Sequence, residues 1–220
     1  MPRFGLIVFD LDGTLIDSIG DLAAAVNALL AERERGPLPT PAVAAMVGEG
    51  ARLLVTRAMA AAGLDGDPAE ALPRFLEIYD GLLPGETRPY DGIPEVLAAL
   101  GERARLAVLT NKPTEASLKL LDTLGLMPFF GRIVGGDGPF PRKPAPDGLL
   151  HLAADAGVRP GEAVLVGDST IDLLTAHAAG TAACVARYGF GQVTFDEARL
   201  RGDELFANSP RGLLTLLSRE

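Results

Sequence analysis

The sequence predicts an α/β fold, a doubly wound parallel sheet with a Rossmann-like core and an inserted helical cap subdomain. Three observations predict it. Short, almost wholly apolar runs of strand length recur along the chain. Helix-length segments that stop close to a glycine separate the later runs, and about 66 residues after the first run hold helical patterns alone. A strand that is apolar at every position is buried on both faces, as in a parallel sheet covered by helices.

The elements follow in order. Residues 4–9 (FGLIVF) form the first expected strand. Residues 18–83 carry Ala- and Leu-rich helical patterns at 22–31, 41–46, 52–62 and 69–82, separated by Pro37, Pro39, the 63–68 stretch and Pro84-Gly85. A crossover needs one helix, so four imply an insert. The expected division is a core of residues 1–15 and 86–220 and a cap of residues 16–85, with hinges near 16–18 and 83–87. Residues 106–109 (LAVL), 132–134, 163–166 (AVLV), 182–185 (AACV) and 204–206 supply the remaining strands. Helices are expected over 114–124, 146–156 and 171–179.

Composition narrows the function. With 220 residues, 48% hydrophobic, the chain can fill a core, which excludes dominant disorder. A net charge of −9 disfavours nucleic acid, whose binding needs Lys and Arg against phosphates. One cysteine, Cys184, excludes an internal disulfide framework and suits a reducing, cytoplasmic setting. No run approaches the roughly 18 apolar residues of a membrane span. An acidic chain acting on an anion needs local cations. Only three of the twenty basic residues are lysines (Lys112, Lys119 and Lys143), so each lysine matters.

Four constellations carry chemistry. Asp10-Leu11-Asp12-Gly13-Thr14 places two carboxylates at i and i+2 just past the first strand, where open α/β sheets bind ligands. Such a pair costs electrostatic energy unless a cation offsets it; the alternative is an acidic turn. Gly167-Asp168-Ser169-Thr170-Ile171-Asp172 follows the fourth strand. Taken alone, Asp168 reads as a helix cap and Asp172 as a first-turn acid. Lys143 lies in an extended Pro-rich loop, and Thr110-Asn111-Lys112-Pro113 offers donors before a helix N-terminus. All four fall after expected parallel strands and converge on one sheet edge. Four carboxylates, a hydroxyl and one or two lysines describe a divalent metal beside a phosphoryl group, and hard oxygen ligands suit Mg²⁺. Gly48-Glu49-Gly50 lacks a preceding strand and a third glycine, so it is no dinucleotide fingerprint.

With DLDGT at 10–14, Thr110, Lys143 and GDSTID at 167–172 in this order, the chain resembles the haloacid dehalogenase superfamily over nearly its whole length. Within it the sequence is most similar to the bacterial phosphoglycolate phosphatases, through VGEGARLLV at 47–55, Thr110-Asn111-Lys112-Pro113 and Lys143-Pro144-Ala145-Pro146. It departs from its relatives at Asp147-Gly148 and in the extended GGDGPFPR before Lys143.

The resemblance implies a Mg²⁺-dependent phosphatase acting on a small phosphorylated metabolite, 2-phosphoglycolate first, as a monomer or homodimer. It implies Asp10 as nucleophile and Asp12 as general acid, then base. Mg²⁺ would be held by Asp10, the Asp12 carbonyl and Asp168. Thr110 and Lys143 would bind the non-bridging oxygens, with Asp172 and Asn111 supporting from behind. Gly13, Thr14, Gly48, Gly50, Arg52 and Lys112 are expected at the substrate. Arg52 or Lys112 would meet its carboxylate, though Arg52 reads equally as a surface residue at a helix start. Alternatives are a sugar-phosphate or nucleotide phosphatase, a phosphoglucomutase-like phosphotransferase, or a catalytically silent binding protein. A hydrolytic dehalogenase would leave Asp12 without a role. A phosphonate-cleaving Schiff base needs a cap lysine, and residues 18–83 contain none. His151 and His177 have no acid partner at short spacing, and Cys184 is expected in the core.

Overall fold

The computed structural model describes residues 4–218; the outermost residues of the expected core, 1–3 and 219–220, lie outside the described residues. The first half of the chain holds β1 (Leu6–Phe9), β2 (Ile16–Asp17), α1 (Ile19–Ala31), α2 (Thr40–Ala44), α3 (Ala51–Ala61), α4 (Pro68–Leu82), β3 (Arg88–Pro89) and α5 (Ile93–Gly101). The second half holds β4 (Arg105–Leu109), α6 (Thr114–Thr123), β5 (Arg132–Val134), α7 (Asp147–Asp155), β6 (Ala163–Gly167), α8 (Thr170–Ala179), β7 (Ala182–Ala186), β8 (Leu205–Ala207) and α9 (Pro210–Leu217).

Six strands pair in the order β5-β4-β1-β6-β7-β8, all parallel. Side chains alternate across a strand, so β1 feeds two cores. Ile7 and Phe9 pack with Ile93, Leu97, Leu120 and Leu213 from α5, α6 and α9. Leu6 and Val8 pack with Leu149, Leu152, Leu173 and Ala176 from α7 and α8. Helices therefore cover both faces, which explains why β1 is buried at all four positions.

Helices α1 to α4 enclose a third apolar cluster that includes Val26, Leu29, Val55, Ala58 and Phe75. Asp67 caps α4 by accepting from the Ala69 amide at 2.8 Å, and Pro68 opens its first turn, where a missing N–H costs nothing.

Several features escape the sequence patterns. Ile16 and Asp17 of the expected hinge at 16–18 form a two-residue strand, β2, which pairs antiparallel with β3 through Ile16↔Pro89 and Asp17↔Arg88. Two residues are too few to show a period. Buried Asp21 in α1 accepts from the Glu86 and Thr87 amides (2.8 and 3.0 Å) and from Thr87 Oγ1 (2.6 Å), which ties the start of the helical unit to its return linker. His177, without an acid partner at short spacing, gains one in Glu204 at 2.9 Å. Burial opposes the Glu204 charge, but amide donors from Arg201 and Gly202 outweigh it and lower its pKa to about 2.

Candidate active site

The parallel register brings the functional residues to one height. Phe9 pairs with Val108 on one side and with Val166 on the other. Asp10 therefore stands level with the ends of both neighbours, and its amide donates to the Val166 carbonyl at 2.9 Å. Thr110 and Asp168 begin the loops that leave β4 and β6 at the same edge, and the Thr110 amide donates to Val134 at 2.9 Å. Lys143 arrives from the long segment after β5. Asn111 holds it there, since Oδ1 accepts from the Lys143 amide at 2.9 Å and Nδ2 donates to its carbonyl at 3.0 Å.

The carboxylates of Asp10, Asp168 and Asp172 are buried, and one oxygen of each lies within 4.8 Å of the others. A single buried ammonium faces them: Lys143 Nζ is 2.9 Å from Asp10 Oδ1 and 2.5 Å from Asp172 Oδ1. Burial weighs against the Lys143 charge, yet Asp10 and Asp172 outweigh it and hold its pKa above the usual lysine range. Burial raises Asp10 to about 6, with Lys143 pulling down and Asp172 pushing up. Burial, then the charges of Asp172 and Asp10, lift Asp168 well above the carboxylate range. Asp10 Oδ1 approaches Lys143 out of hydrogen-bond alignment and has no hydrogen-bond partner. Three acids, one base and an undonated oxygen fit a metal cation, whose hard ligands are carboxylate oxygens.

Asp168 sits in a cradle that the sequence motifs did not reveal. Its Oδ2 accepts from the Gly191 amide at 2.7 Å, and its carbonyl accepts from Gln192 Nε2 at 2.7 Å. The cradle is the loop after β7, which ends at this same edge; that topology is the signal by which it is found. Thr14 is fully buried, with its hydroxyl 3.5 Å from Asp168 Oδ1 and its carbonyl accepting from Tyr188. Gly13 has φ +82°, and a Cβ there would lie 1.9 Å from Asp168 Oδ2. Gly13→Ala therefore combines a strained conformation with displacement of a candidate metal ligand. We expect kcat to fall by ~100-fold, since misplacement of about 1 Å can cost that much. Steady-state rates test this, together with loss of any metal-induced rise in Tm.

The helix after β6 is capped by Ser169, not by Asp168, the cap that the motif offers when taken alone. Ser169 Oγ accepts from the Asp172 amide at 3.3 Å, and Asp172 Oδ2 accepts from Ser169 N at 3.1 Å and Oγ at 2.6 Å. This frees Asp168 for the cluster and fixes Asp172 between the helix start and Lys143.

Asp12 points elsewhere. Its Oδ1 accepts from Ser18 Oγ at 2.6 Å, and both of its oxygens lie 3.0 Å from Lys112 Nζ. Lys112 is 6% exposed and donates also to the Tyr79 hydroxyl of α4 at 2.6 Å. Burial opposes the Lys112 charge, but Asp12 and Tyr79 hold its pKa above the lysine range. Asn111 Nδ2 meets the Gly48 carbonyl at 3.0 Å, and Lys119 on α6 pairs with Asp80 of α4 at 2.5 Å. The helical unit is thus docked on the sheet edge at three points.

Between the two lies a cleft with about 700 Å³ of empty space, part of it open to solvent. Asp10, Asp12, Thr110, Asn111, Lys112 and Asp168 line its polar end. Gly48 and Gly50 line it from the helical side, where Val47, Leu54, Phe75 and Tyr79 make the wall largely apolar. Lys143, Asp172, Gly13 and Thr14 are not among the residues that line it. Arg52, expected at the substrate, is exposed at the start of α3 and does not line the cleft. Lys112 does line it, but its ammonium is committed to Asp12 and Tyr79.

A family model described as haloacid dehalogenase-like hydrolase matches residues 4–180. A phosphoglycolate phosphatase of Caulobacter vibrioides is 39% identical over 96% of this chain and 92% of its own length. One of Rhodospirillum rubrum is 41% identical over 96% of this chain and 94% of its own. The crystal structure of a protein described as a predicted phosphoglycolate phosphatase from Haemophilus somnus 129PT superposes with a TM-score of 0.90. Its identity is 32%, and the match covers 98% of this chain and 99% of that one. Among the described residues no helix is long and apolar enough to cross a membrane.

Proposed function

Because the chain belongs to the haloacid dehalogenase-like hydrolases, we propose that it is a Mg²⁺-dependent phosphatase of small phosphate monoesters, with 2-phosphoglycolate as its substrate. The observation that carries the reading is the cluster of Asp10, Asp168 and Asp172 against one ammonium, with an undonated Asp10 oxygen, at the polar end of the cleft. Residues 16–85 act as the cap, and residues 1–15 and 86–220 as the catalytic core. The lone buried thiol of Cys184 accords with a cytoplasmic setting.

The residues divide the work. An Asp10 carboxylate oxygen attacks phosphorus as the bond to the leaving oxygen breaks, forming an aspartyl phosphate. In its protonated form Asp12 gives that proton to the departing alkoxide, and the resulting carboxylate accepts one from the water that hydrolyses the acyl phosphate and restores Asp10. Thr110 and Lys143 hold the non-bridging oxygens, and Lys143 keeps Asp10 aimed. Asp10 and Asp168, with the Asp12 carbonyl, would hold Mg²⁺, which when bound neutralises the charge that builds on the phosphoryl oxygens. Asp172 and Asn111 orient Lys143 from two sides. Lys112 acts on the leaving-group side by holding Asp12, and the apolar cap wall excludes other water.

The test is a panel of kcat/KM values for 2-phosphoglycolate, glucose 6-phosphate, a nucleoside monophosphate and p-nitrophenyl phosphate, with Mg²⁺ and after chelation. Turnover should require the metal, and 2-phosphoglycolate should lead by at least ~10-fold, the low end of the discrimination that a small difference in pocket contacts supplies. Equal values across the panel would remove the substrate assignment; no metal-dependent turnover of any ester would remove the enzyme.

A further inference from the structure

We propose that Tyr79 is a positioning residue for the acid–base step: its hydroxyl fixes Lys112 against Asp12, so that Asp12 is in place only while α4 is docked. The inference rests on the phosphatase reading above, in which Asp12 protonates the leaving group.

The geometry is a relay of three side chains from two structural units. Tyr79 is 3% exposed on α4, with its ring parallel to Phe75 at 6.0 Å between centroids. That packing leaves the ring little freedom and points its hydroxyl out of the cap cluster. Lys112 reaches it from the end of β4, with Nζ 2.6 Å from the hydroxyl and 4.5 Å from the ring centroid. The same Nζ is 3.0 Å from both oxygens of Asp12.

A buried ammonium carries three protons that need acceptors, and an unmet one is costly in a dry site. Within its own unit Lys112 has one acceptor group, the Asp12 carboxylate; Tyr79 supplies the other from the cap. Without the hydroxyl one ammonium proton is left to water, the ammonium is no longer fixed from the cap side, and its orientation against Asp12 loosens. Ser18 also holds Asp12, and it too sits at the junction, immediately before α1. Tyr79 touches no reacting atom in this scheme and acts through Lys112.

Tyr79→Phe tests this, since it keeps the ring and its stacking. With Mg²⁺-loaded protein we expect kcat for 2-phosphoglycolate to fall about tenfold, within the span that acid–base positioning commands, while KM hardly moves and Tm falls by only a few degrees, as one unmet buried donor implies. The loss in kcat/KM should be much smaller for p-nitrophenyl phosphate, whose phenolate departs without a proton. In a Lys112→Met background the same change should have almost no further effect, because the relay is already cut. Equal losses in kcat/KM on both esters, a rise in KM alone, or a full tenfold loss in the Lys112→Met background would each overturn the inference while leaving the phosphatase reading intact. If the wild type turns over neither ester, both fall.

Discussion

Asp10→Asn should abolish turnover while the protein stays folded. Asn matches Asp in size and leaves β1 and its register untouched, so far-UV circular dichroism and a cooperative melt should persist. The amide is a poor nucleophile toward phosphorus, and no second carboxylate stands in the same place: Asp12 is turned to Lys112 and Ser18. Loss of a sole nucleophile typically costs on the order of 10⁴–10⁶ in kcat. Burial already raises Asp10 to about 6, so neutralising it should not weaken the fold appreciably. Wild-type-like rates in the variant would sink the nucleophile assignment. A parallel loss of folded signal would mean that Asp10 is structural.

Lys143→Met should be strongly destabilising. Among the described residues its ammonium is the only one paired with this acid cluster, and its side chain is 2% exposed. Removing one partner of a buried pair costs about 3–5 kcal/mol, because the remaining charge is left uncompensated. For a chain of this size that lowers Tm by roughly 10 °C. Excess Mg²⁺ should restore part of the loss, and raise Tm more in the variant than in the wild type, since the cation then supplies the missing charge. Thermal melts with and without MgCl₂ read this without reference to activity. An unchanged Tm would show that the acid cluster tolerates its own charge and would weaken the case for a cation there. The rate should fall as well, by ~100-fold, through loss of one electrostatic partner for the phosphoryl oxygens.

These two changes target residues that stand out in the bare sequence, for a physical reason. Asp10, Thr110 and Asp168 each follow an apolar run, and strand ends in a parallel sheet gather at one edge whatever the details of packing. The runs are visible because strands buried on both faces must be apolar throughout, and observed strand bounds lie within about two residues of those expected. Residues 18–83 likewise announce helices by composition. The β2–β3 pair does not, because its partners are some 70 residues apart and each strand has two residues.

Side-chain partnerships were much less legible. Lys112 and Arg52 read as candidates for a substrate carboxylate because both are cations near expected loops. Their fates differ through packing alone. Arg52 opens α3 on the face turned to solvent, while Lys112 leaves β4 pointing into the docked cap. Tyr79 gave no signal in a helical pattern where any aromatic residue reads as core. The Gly191 and Gln192 cradle lies after a strand with no acidic motif, so nothing local marked it.

What the sequence by itself determined is the strand–helix alternation, the inserted helical unit and the identity of the residues at the sheet edge. These follow from local hydrophobic period and topology, which require no knowledge of distant neighbours. Only the tertiary structure decided that Lys143 belongs to Asp10 and Asp172, that Lys112 belongs to Asp12 and Tyr79, and that Ser169 takes the cap and frees Asp168. Each of these is a choice among several buried charges. It is settled by which opposite charge or hydroxyl lies within about 3 Å once the sheet and cap have packed, because an unpaired charge out of water costs more than any local preference can return.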